Sequence, residues 1–88
     1  MSSPSAVQPT VTVRYFAGAR AAAGVETEQR SAASLDELVL GLAAAHGEKL
    51  ARVLPACSFL VDGTTTRDRA SALSPGAVVD VLPPFAGG

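Results

Sequence analysis

The chain has 88 residues, of which 48% are hydrophobic and 17% charged, enough for one domain with a modest core. Its net charge of −1 and scattered basic residues exclude a nucleic-acid binder, and a single cysteine excludes an internal disulfide and a cysteine-ligated metal site. The nearest approach to a basic patch, Arg67-Asp68-Arg69, carries its own acid and is interpreted as a solvated turn.

Residues 1–9 are rich in Ser and Pro and poor in large apolar side chains, which predicts a disordered N-terminal tail. They contain no positive charge followed by an apolar run, as a signal peptide would. No later stretch approaches the length needed to span a bilayer. We therefore expect a cytoplasmic protein that does not contact a membrane.

The first strand is predicted to begin near Thr10, because apolar and polar side chains alternate from there. One face carries Val11, Val13 and Tyr15, and the outer face carries Thr12, Arg14 and Phe16. Residues 18–24 are Ala-rich between two glycines and predict a short helix around Arg20. Residues 25–30 predict a polar strand whose charged side chains are typical of a sheet edge.

The main helix is predicted to begin after Ser34, since Ser34 and Glu37 have the spacing of a capping box. An apolar stripe follows at helical spacing and consists of Leu35, Leu38, Val39 and Leu42. Gly47 is well placed to end this helix. His46 beside it is expected on the surface, where a positive charge at the C-terminal end of the helix interacts favourably with the helix dipole. A second short helical segment should end at Pro55.

Two more strands complete the predicted domain. Cys57, Phe59 and Val61 alternate with smaller or outward-facing neighbours before an Asp62-Gly63 turn, and the lone Cys57 is interpreted as a small buried side chain. Residues 77–82 form the last strand, which Pro83 ends. The core between helix and sheet is predicted to contain Val13, Leu38, Leu42, Phe59 and Val81.

This order of elements predicts an α+β fold of the ubiquitin-like β-grasp type, with a mixed four- to five-stranded sheet and one main helix packed on one face. The predicted parts are a tail over residues 1–9, a β-grasp domain over 10–82 and an extended Gly-Gly tail over 83–88. A single helix covers only one face of such a sheet. The other face should therefore be at least partly exposed and able to accept a partner.

The chain ends with Pro83, Pro84, Phe85, Ala86, Gly87 and Gly88. A terminal Gly-Gly pair arises by chance in about one chain in 200, so it becomes informative through its context. Two residues without side chains can enter a narrow nucleotide site, and the prolines before them extend and stiffen the segment. These features are suited to activation of a C-terminal carboxylate by ATP. Gly88 would be the reacting residue, and Gly87 would precede it without a side chain that could clash.

These features resemble the MoaD/ThiS family of sulfur carriers, most closely the small subunit of molybdopterin synthase (MoaD). The resemblance rests on the opening stretch Val13-Arg14-Tyr15-Phe16-Ala17 with Arg20 and Gly24 after it, the Leu73-Ser74-Pro75-Gly76 turn, and the Pro-Pro-Phe-Ala-Gly-Gly end. It implies that an ATP-dependent, ubiquitin-activator-like adenylyltransferase adenylates Gly88, which then becomes a thiocarboxylate (1-thioglycine). Neither a bound cofactor nor a metal is implied.

In the molybdenum branch the sulfur acceptor is cyclic pyranopterin monophosphate, bound by a larger, MoaE-like subunit that supplies the catalytic groups. The small chain is then a sulfur donor and not an enzyme by itself. Three alternatives stay open at this point: a carrier for thiazole or cysteine synthesis, a ubiquitin-like protein modifier, and an interaction domain without terminal chemistry.

The residues expected to bind a partner lie on the outer sheet face and along the tail. Phe16 and Leu82 come from neighbouring strands and form the expected apolar patch, with Arg20 as a candidate for its rim. The tail residues expected to enter the partner are Pro83, Pro84, Phe85 and Ala86.

Overall fold

The structure, a computed structural model, describes residues 8–84 and contains five strands and three α-helices in that range. In chain order they are β1 (Thr10–Tyr15), α1 (Ala17–Ala23), β2 (Thr27–Ser31), α2 (Leu35–His46), α3 (Glu48–Val53), β3 (Ser58–Val61), β4 (Thr64–Thr65) and β5 (Val78–Leu82). A 3-10 turn over Leu54–Ala56 follows α3 and holds Pro55, which cannot continue the helical hydrogen bonds.

Helix α2 begins and ends at the residues that its capping signals predict. The Ser34 hydroxyl accepts a hydrogen bond from the Glu37 N–H at 3.2 Å, and the Glu37 carboxylate accepts one from the Ala33 N–H at 3.0 Å. At the other end Gly47 has φ of 87°, a conformation that glycine adopts without steric cost. Its N–H donates to the Ala43 carbonyl and ends the helix.

The sheet has the strand order β2-β1-β5-β3-β4, with β1 and β5 parallel and all other pairs antiparallel. The first and last strands are therefore neighbours in its interior, as expected for a β-grasp. The register places Arg14 opposite Asp80 on one side of β5 and Leu60 opposite Asp80 on the other. All three side chains consequently point to the same face of the sheet.

The core lies between the helices and the other face of the sheet. All five residues predicted for it are buried, with exposures between 0 and 3% for Val13, Leu38, Leu42, Phe59 and Val81. Sixteen buried hydrophobic residues form this cluster within the described range. The predicted β-grasp fold with a mixed sheet is confirmed, and the sheet has the larger of the two strand numbers expected.

The additional strand is β4, which pairs with β3 across the Asp62-Gly63 turn. Both turn residues have positive φ, 52° and 84°, as a tight hairpin turn of this kind requires. The Asp62 carboxylate accepts a hydrogen bond from the Val78 N–H at 2.9 Å, which ties the turn to β5. With only two residues, β4 is too short to produce a recognisable alternation in the sequence.

Two residues of the predicted N-terminal tail, Gln8 and Pro9, are described, and both contact the domain. The Pro9 carbonyl accepts a hydrogen bond from the Ala32 N–H at 3.0 Å, and the Gln8 amide donates to the Glu37 carboxylate at 3.1 Å. The chain is thus already bonded to the domain one residue before β1 begins. The rest of that tail lies outside the described residues.

Candidate functional site

The base of the predicted C-terminal tail lies between two strands. Strand β5 ends at Leu82 with β1 on one side and β3 on the other, and Pro83 is half-buried while Pro84 is exposed. The residues predicted to react or to enter a partner, Phe85, Ala86, Gly87 and Gly88, lie outside the described residues. The geometry of the site is accordingly that of the surface from which the tail departs.

Phe16 lies beside Leu82 on the open face of the sheet. Its backbone is extended, with φ of −124° and ψ of 148°, and its N–H donates to the Val81 carbonyl at 3.2 Å. This bond continues the parallel pairing of β1 with β5 by one residue. Since Tyr15 lies opposite Val81 in this pairing, Phe16 and Leu82 are the next residues on the two neighbouring strands. Phe16 is 37% exposed and Leu82 is partly buried.

An ion pair is fixed next to this aromatic ring. Arg14 Nε lies 2.6 Å from one Asp80 carboxylate oxygen and Arg14 Nη2 lies 2.9 Å from the other, a bidentate arrangement. The guanidinium carbon of Arg14 is 5.8 Å from the centroid of the Phe16 ring. The hydrogen bonds that Arg14 donates to Asp80, followed by the charge of that carboxylate, raise the pKa of Arg14, so the open face carries a permanently charged and oriented cation.

Asp80 is only 8% exposed although it lies on the open face. A carboxylate this close to burial needs a partner, and Arg14 supplies it with both donors of one edge of its guanidinium. Replacing Arg14 would leave Asp80 without that partner. The ion pair therefore both orients Arg14 beside Phe16 and compensates for the burial of Asp80.

A hollow of about 420 Å³ lies between the end of β1 and helix α1. It is lined by Arg14, Tyr15, Phe16, Ala17, Arg20, Glu26 and Thr27. Arg20, the predicted rim residue, forms an exposed ion pair with Glu26 at 3.3 Å on its wall. Phe16 and Arg20 thus border one concave surface.

A polar cluster on the helix side was missed by the sequence reasoning. The Tyr15 hydroxyl donates to a Glu28 carboxylate oxygen at 2.6 Å, His46 Nε2 bonds the same oxygen, and Arg30 lies 3.8 Å from the other. Burial, followed by the hydrogen bond to Glu28, raises the pKa of Tyr15. The prediction that His46 is a surface residue is wrong, because Glu28 and Tyr15 enclose its ring and leave the side chain 16% exposed.

One signal for this cluster was present in the sequence. The alternation in β2 places Glu28 and Arg30 on the same face of the sheet as Tyr15, towards the helices. The charge pattern of this strand alone predicts only the protection of a sheet edge. Their paired geometry shows that they also join the edge strand to the end of α2.

Cys57 has the structural role that its strand context predicts. Its thiol donates to the Val53 carbonyl at 3.3 Å, and the side chain packs against the core. Burial raises the pKa of the Cys57 thiol, an effect that the charge of Arg69 partly offsets. The thiol is consequently held in its protonated and poorly nucleophilic form.

Between Gln8 and Pro84, no group of three or more His, Cys, Asp or Glu side chains is arranged to hold a metal ion. The helices of the same range are all too short or too polar to cross a bilayer.

Comparison with known proteins adds a family and a fold to this geometry. The model of the ThiS family matches residues 13–88, which is most of the chain including the Gly-Gly end. No curated protein matches the chain at a significant level. Thirteen chains of solved structures do match.

One similar structure is a putative molybdopterin converting factor, subunit 1, from Pyrococcus furiosus, with 28% identity and a TM-score of 0.78 over 86% of this chain and 98% of that one. Another is a chain from the protein–protein complex of subunits 1 and 2 of the molybdopterin-converting factor from Helicobacter pylori, with 28% identity and a TM-score of 0.70 over 90% and 99%.

A third similar structure is the small archaeal modifier protein 1 from Methanosarcina acetivorans, with a TM-score of 0.81 over 92% of this chain and 98% of that one. Its identity is 22%, so this likeness concerns the fold.

Proposed function

Because the chain belongs to the ThiS family, we propose that it is a sulfur carrier of the molybdopterin-synthase type, with the carboxylate of Gly88 as its working group. The observation that carries this proposal is the family match, which extends through the Gly-Gly end to residue 88. The fold supports it, since β5 leads from the sheet interior directly into Pro83 and the segment after it.

The proposed chemistry begins with a carboxylate oxygen of Gly88, which attacks the α-phosphate of ATP. Pyrophosphate leaves, and the product is an acyl adenylate. A sulfur nucleophile then attacks the activated carbonyl carbon, AMP departs with its electron pair, and a thiocarboxylate remains. In this proposal an ATP-dependent adenylyltransferase related to ubiquitin activators holds the nucleotide and receives the C-terminal segment.

The proposed second partner is a large, MoaE-like subunit, to which the thiocarboxylate delivers sulfur for cyclic pyranopterin monophosphate. Support comes from the similar Helicobacter pylori structure, which is a protein–protein complex of subunits 1 and 2 of the molybdopterin-converting factor. The exposed ring of Phe16, the neighbouring Leu82 and the oriented Arg14 form a surface suited to such a subunit. An aromatic anchor beside a fixed cation is a frequent composition at the centre of protein interfaces.

The experiment is an intact-mass measurement on the full chain with its native end, incubated with the activating enzyme, ATP and a sulfur donor. We expect a gain equal to the exchange of one oxygen for one sulfur, located at Gly88 by fragmentation. A matched control carries one Ala after Gly88 and should stay unmodified, because the added residue displaces the carboxylate from the nucleotide site.

Two other results would contradict the carrier function. Conjugates joined through Gly88 to lysine amines would identify a protein modifier, and an unchanged mass with an active enzyme would indicate an interaction domain. Once the thiocarboxylate is formed, incubation with the large subunit and cyclic pyranopterin monophosphate tests the pathway. Sulfur transfer supports the molybdenum branch, whereas transfer only to a thiazole or cysteine precursor would assign the carrier elsewhere.

A further inference from the structure

The six arginines of the chain all lie in the described residues and divide into two groups by their ion pairs. Four of them, Arg14, Arg20, Arg30 and Arg52, lie 2.6, 3.3, 3.8 and 2.7 Å from carboxylate oxygens of Asp80, Glu26, Glu28 and Glu48. Within residues 8–84, Arg67 and Arg69 form no such pair. These two guanidinium groups therefore have no carboxylate partner among the described residues.

Arg67 and Arg69 border the same hollow, which we call the arginine pocket. Its volume is about 210 Å³, and its lining consists of Cys57, Ser58, Phe59, Thr65, Thr66, Arg67 and Arg69. Ser58 and Thr65 carry hydroxyl groups that can donate hydrogen bonds to an anion, whereas the Thr66 hydroxyl already donates to the Thr64 carbonyl at 3.1 Å. The volume is roughly seven times the ~30 Å³ that a water molecule occupies, so the pocket has room for an anion of several heavy atoms.

Arg69 is held in position from two sides. Its guanidinium carbon lies 5.1 Å from the centroid of the buried Phe59 ring, and its backbone carbonyl accepts a hydrogen bond from the Asp36 N–H at 2.7 Å. Asp68, the acid between the two arginines, accepts a hydrogen bond from the Ala70 N–H at 2.9 Å and pairs with neither guanidinium. The interpretation of this stretch as a merely solvated turn is therefore wrong for Arg69, which is partly buried.

Cys57 lines the pocket with an uncharged side chain. Its thiol already donates to the Val53 carbonyl, and burial keeps its pKa raised in spite of the nearby Arg69 charge. A covalent role for this cysteine is thus disfavoured. The pocket therefore offers an anion two cations and the hydroxyl groups of Ser58 and Thr65.

We propose that the arginine pocket binds a phosphoryl group. A carboxylate has two oxygens, and one guanidinium group can donate a hydrogen bond to each of them. A phosphoryl group has a charge of about −2 and three free oxygens, so it can accept hydrogen bonds from two guanidinium groups and from the hydroxyl donors at the same time. Arg67 and Arg69 supply the guanidinium groups, and Ser58 and Thr65 supply the hydroxyl donors.

The pocket is separate from the Phe16 surface. Ser58 pairs with Leu82 in the β3–β5 register, so the pocket lies at the base of the tail on the β3 side, while Phe16 lies on the β1 side. A bound phosphoryl group would leave Phe16 accessible. The proposal does not depend on the sulfur chemistry of Gly88 and is tested without an activating enzyme.

The test is a titration of the ¹⁵N-labelled full chain with inorganic phosphate at constant ionic strength, followed by the amide resonances. We expect saturable shifts that are largest at the pocket, in residues 57–59 and 65–69. Replacing both arginines, R67Q with R69Q, should weaken binding by about tenfold or more, since charge-assisted hydrogen bonds are lost. R52Q is the matched control, because Arg52 is exposed and lies outside the pocket, and its affinity should equal the parent's.

Arg69 also covers Phe59, so R67Q alone serves as a second variant that leaves this contact intact. It should weaken phosphate binding severalfold while keeping the parent's melting curve. Shifts that fail to saturate, that are equally large with chloride or acetate, or that persist unchanged in R67Q and in the double variant would overturn the proposal.

Two sources of the phosphoryl group are separated by parallel titrations with inorganic phosphate, pyrophosphate and AMP. If phosphate or pyrophosphate binds more tightly than AMP, the proposal is supported and the ligand is a free inorganic anion. If AMP binds more tightly than both, the proposal is supported and the ligand is a phosphomonoester. Sulfate binding as tightly as all three would contradict it, because the pocket would then not distinguish a phosphoryl group from other oxyanions.

Discussion

The two faces of strand β1 carry different parts of this molecule. Val11, Val13 and Tyr15 are at most 2% exposed against the helices, whereas Arg14 and Phe16 lie in solvent contact on the open face. Each face also holds a polar cluster: the one around Glu28 is enclosed at the end of α2, and the other is the pair of Asp80 with Arg14, in which Arg14 is exposed to solvent. The difference shows that one strand stabilises the domain with every second residue and leaves the others accessible for the partner contact that we propose.

The largest expected effect tests the closed face. Leu42→Ala removes a completely buried side chain from α2 and should lower the free energy of unfolding by about 2–5 kcal/mol, measured by urea denaturation. Leu40→Ala is the matched control on the same helix, because Leu40 is 64% exposed, and it should change stability by no more than about 0.5 kcal/mol. Equal losses in the two variants would contradict the assignment of the helix faces.

The second prediction concerns the cluster beneath α2. Burial raises the pKa of Tyr15, so above about pH 10 the unfolded chain loses this proton while the folded chain retains it. The contribution of Tyr15 to the free energy of unfolding is therefore fully present below pH 10. Above pH 10 the free energy of unfolding should fall by about 1.4 kcal/mol per pH unit, and Tyr15→Phe should abolish this fall. Because the chain has one tyrosine, phenolate absorbance reports it directly. Titration near pH 10 in the native protein would refute the closed environment.

The third prediction sharpens the contrast on the open face. Phe16→Ala should weaken binding of the large subunit by about tenfold or more, since an aromatic anchor is lost, while the melting curve changes little. Calorimetry with the purified subunit measures the affinity. Leu40→Ala serves again as the control, being an exposed apolar residue on the helix side, and should bind like the parent. If Leu40→Ala binds more weakly than Phe16→Ala, the large subunit binds the helix side, which contradicts the prediction that it binds the open face of the sheet.

The smallest effect is expected at the rim. Arg20 and Glu26 form an exposed ion pair, and such pairs contribute only about 0–1 kcal/mol to stability. Arg20→Gln should therefore leave the melting curve unchanged and slow association with the large subunit only a fewfold, mostly at low salt. Stopped-flow association at two ionic strengths measures this. A loss as large as that of Phe16→Ala would place Arg20 in the interface centre instead.

Local patterns in the sequence predicted the elements whose signals lie within one segment. The alternation in β1 distinguished the buried from the open residues, and the Ser34 and Glu37 capping motif located the start of α2. The Pro-Pro-Phe-Ala-Gly-Gly end indicated the family before any geometry was known. In each case neighbouring residues specify the outcome.

Features that join distant segments were not predictable in the same way. The bidentate bond between Arg14 and Asp80 depends on parallel pairing of the first and last strands, 66 positions apart. The contact of His46 with Glu28 requires the end of α2 to lie over the edge strand. The arginine pocket likewise needs Phe59 beneath Arg69, which no pattern within the turn specifies.

The most direct test of the carrier function is ATP–pyrophosphate exchange catalysed by the activating enzyme, with the full chain and the chain lacking Gly88 compared at equal concentrations. The account predicts exchange with the full chain and none above background with the shortened one, although both give the same melting curve. Gly87→Val should also fail, because a β-branched side chain widens the tail. Exchange at the parent's rate without Gly88 would show that another group reacts and would contradict the carrier function.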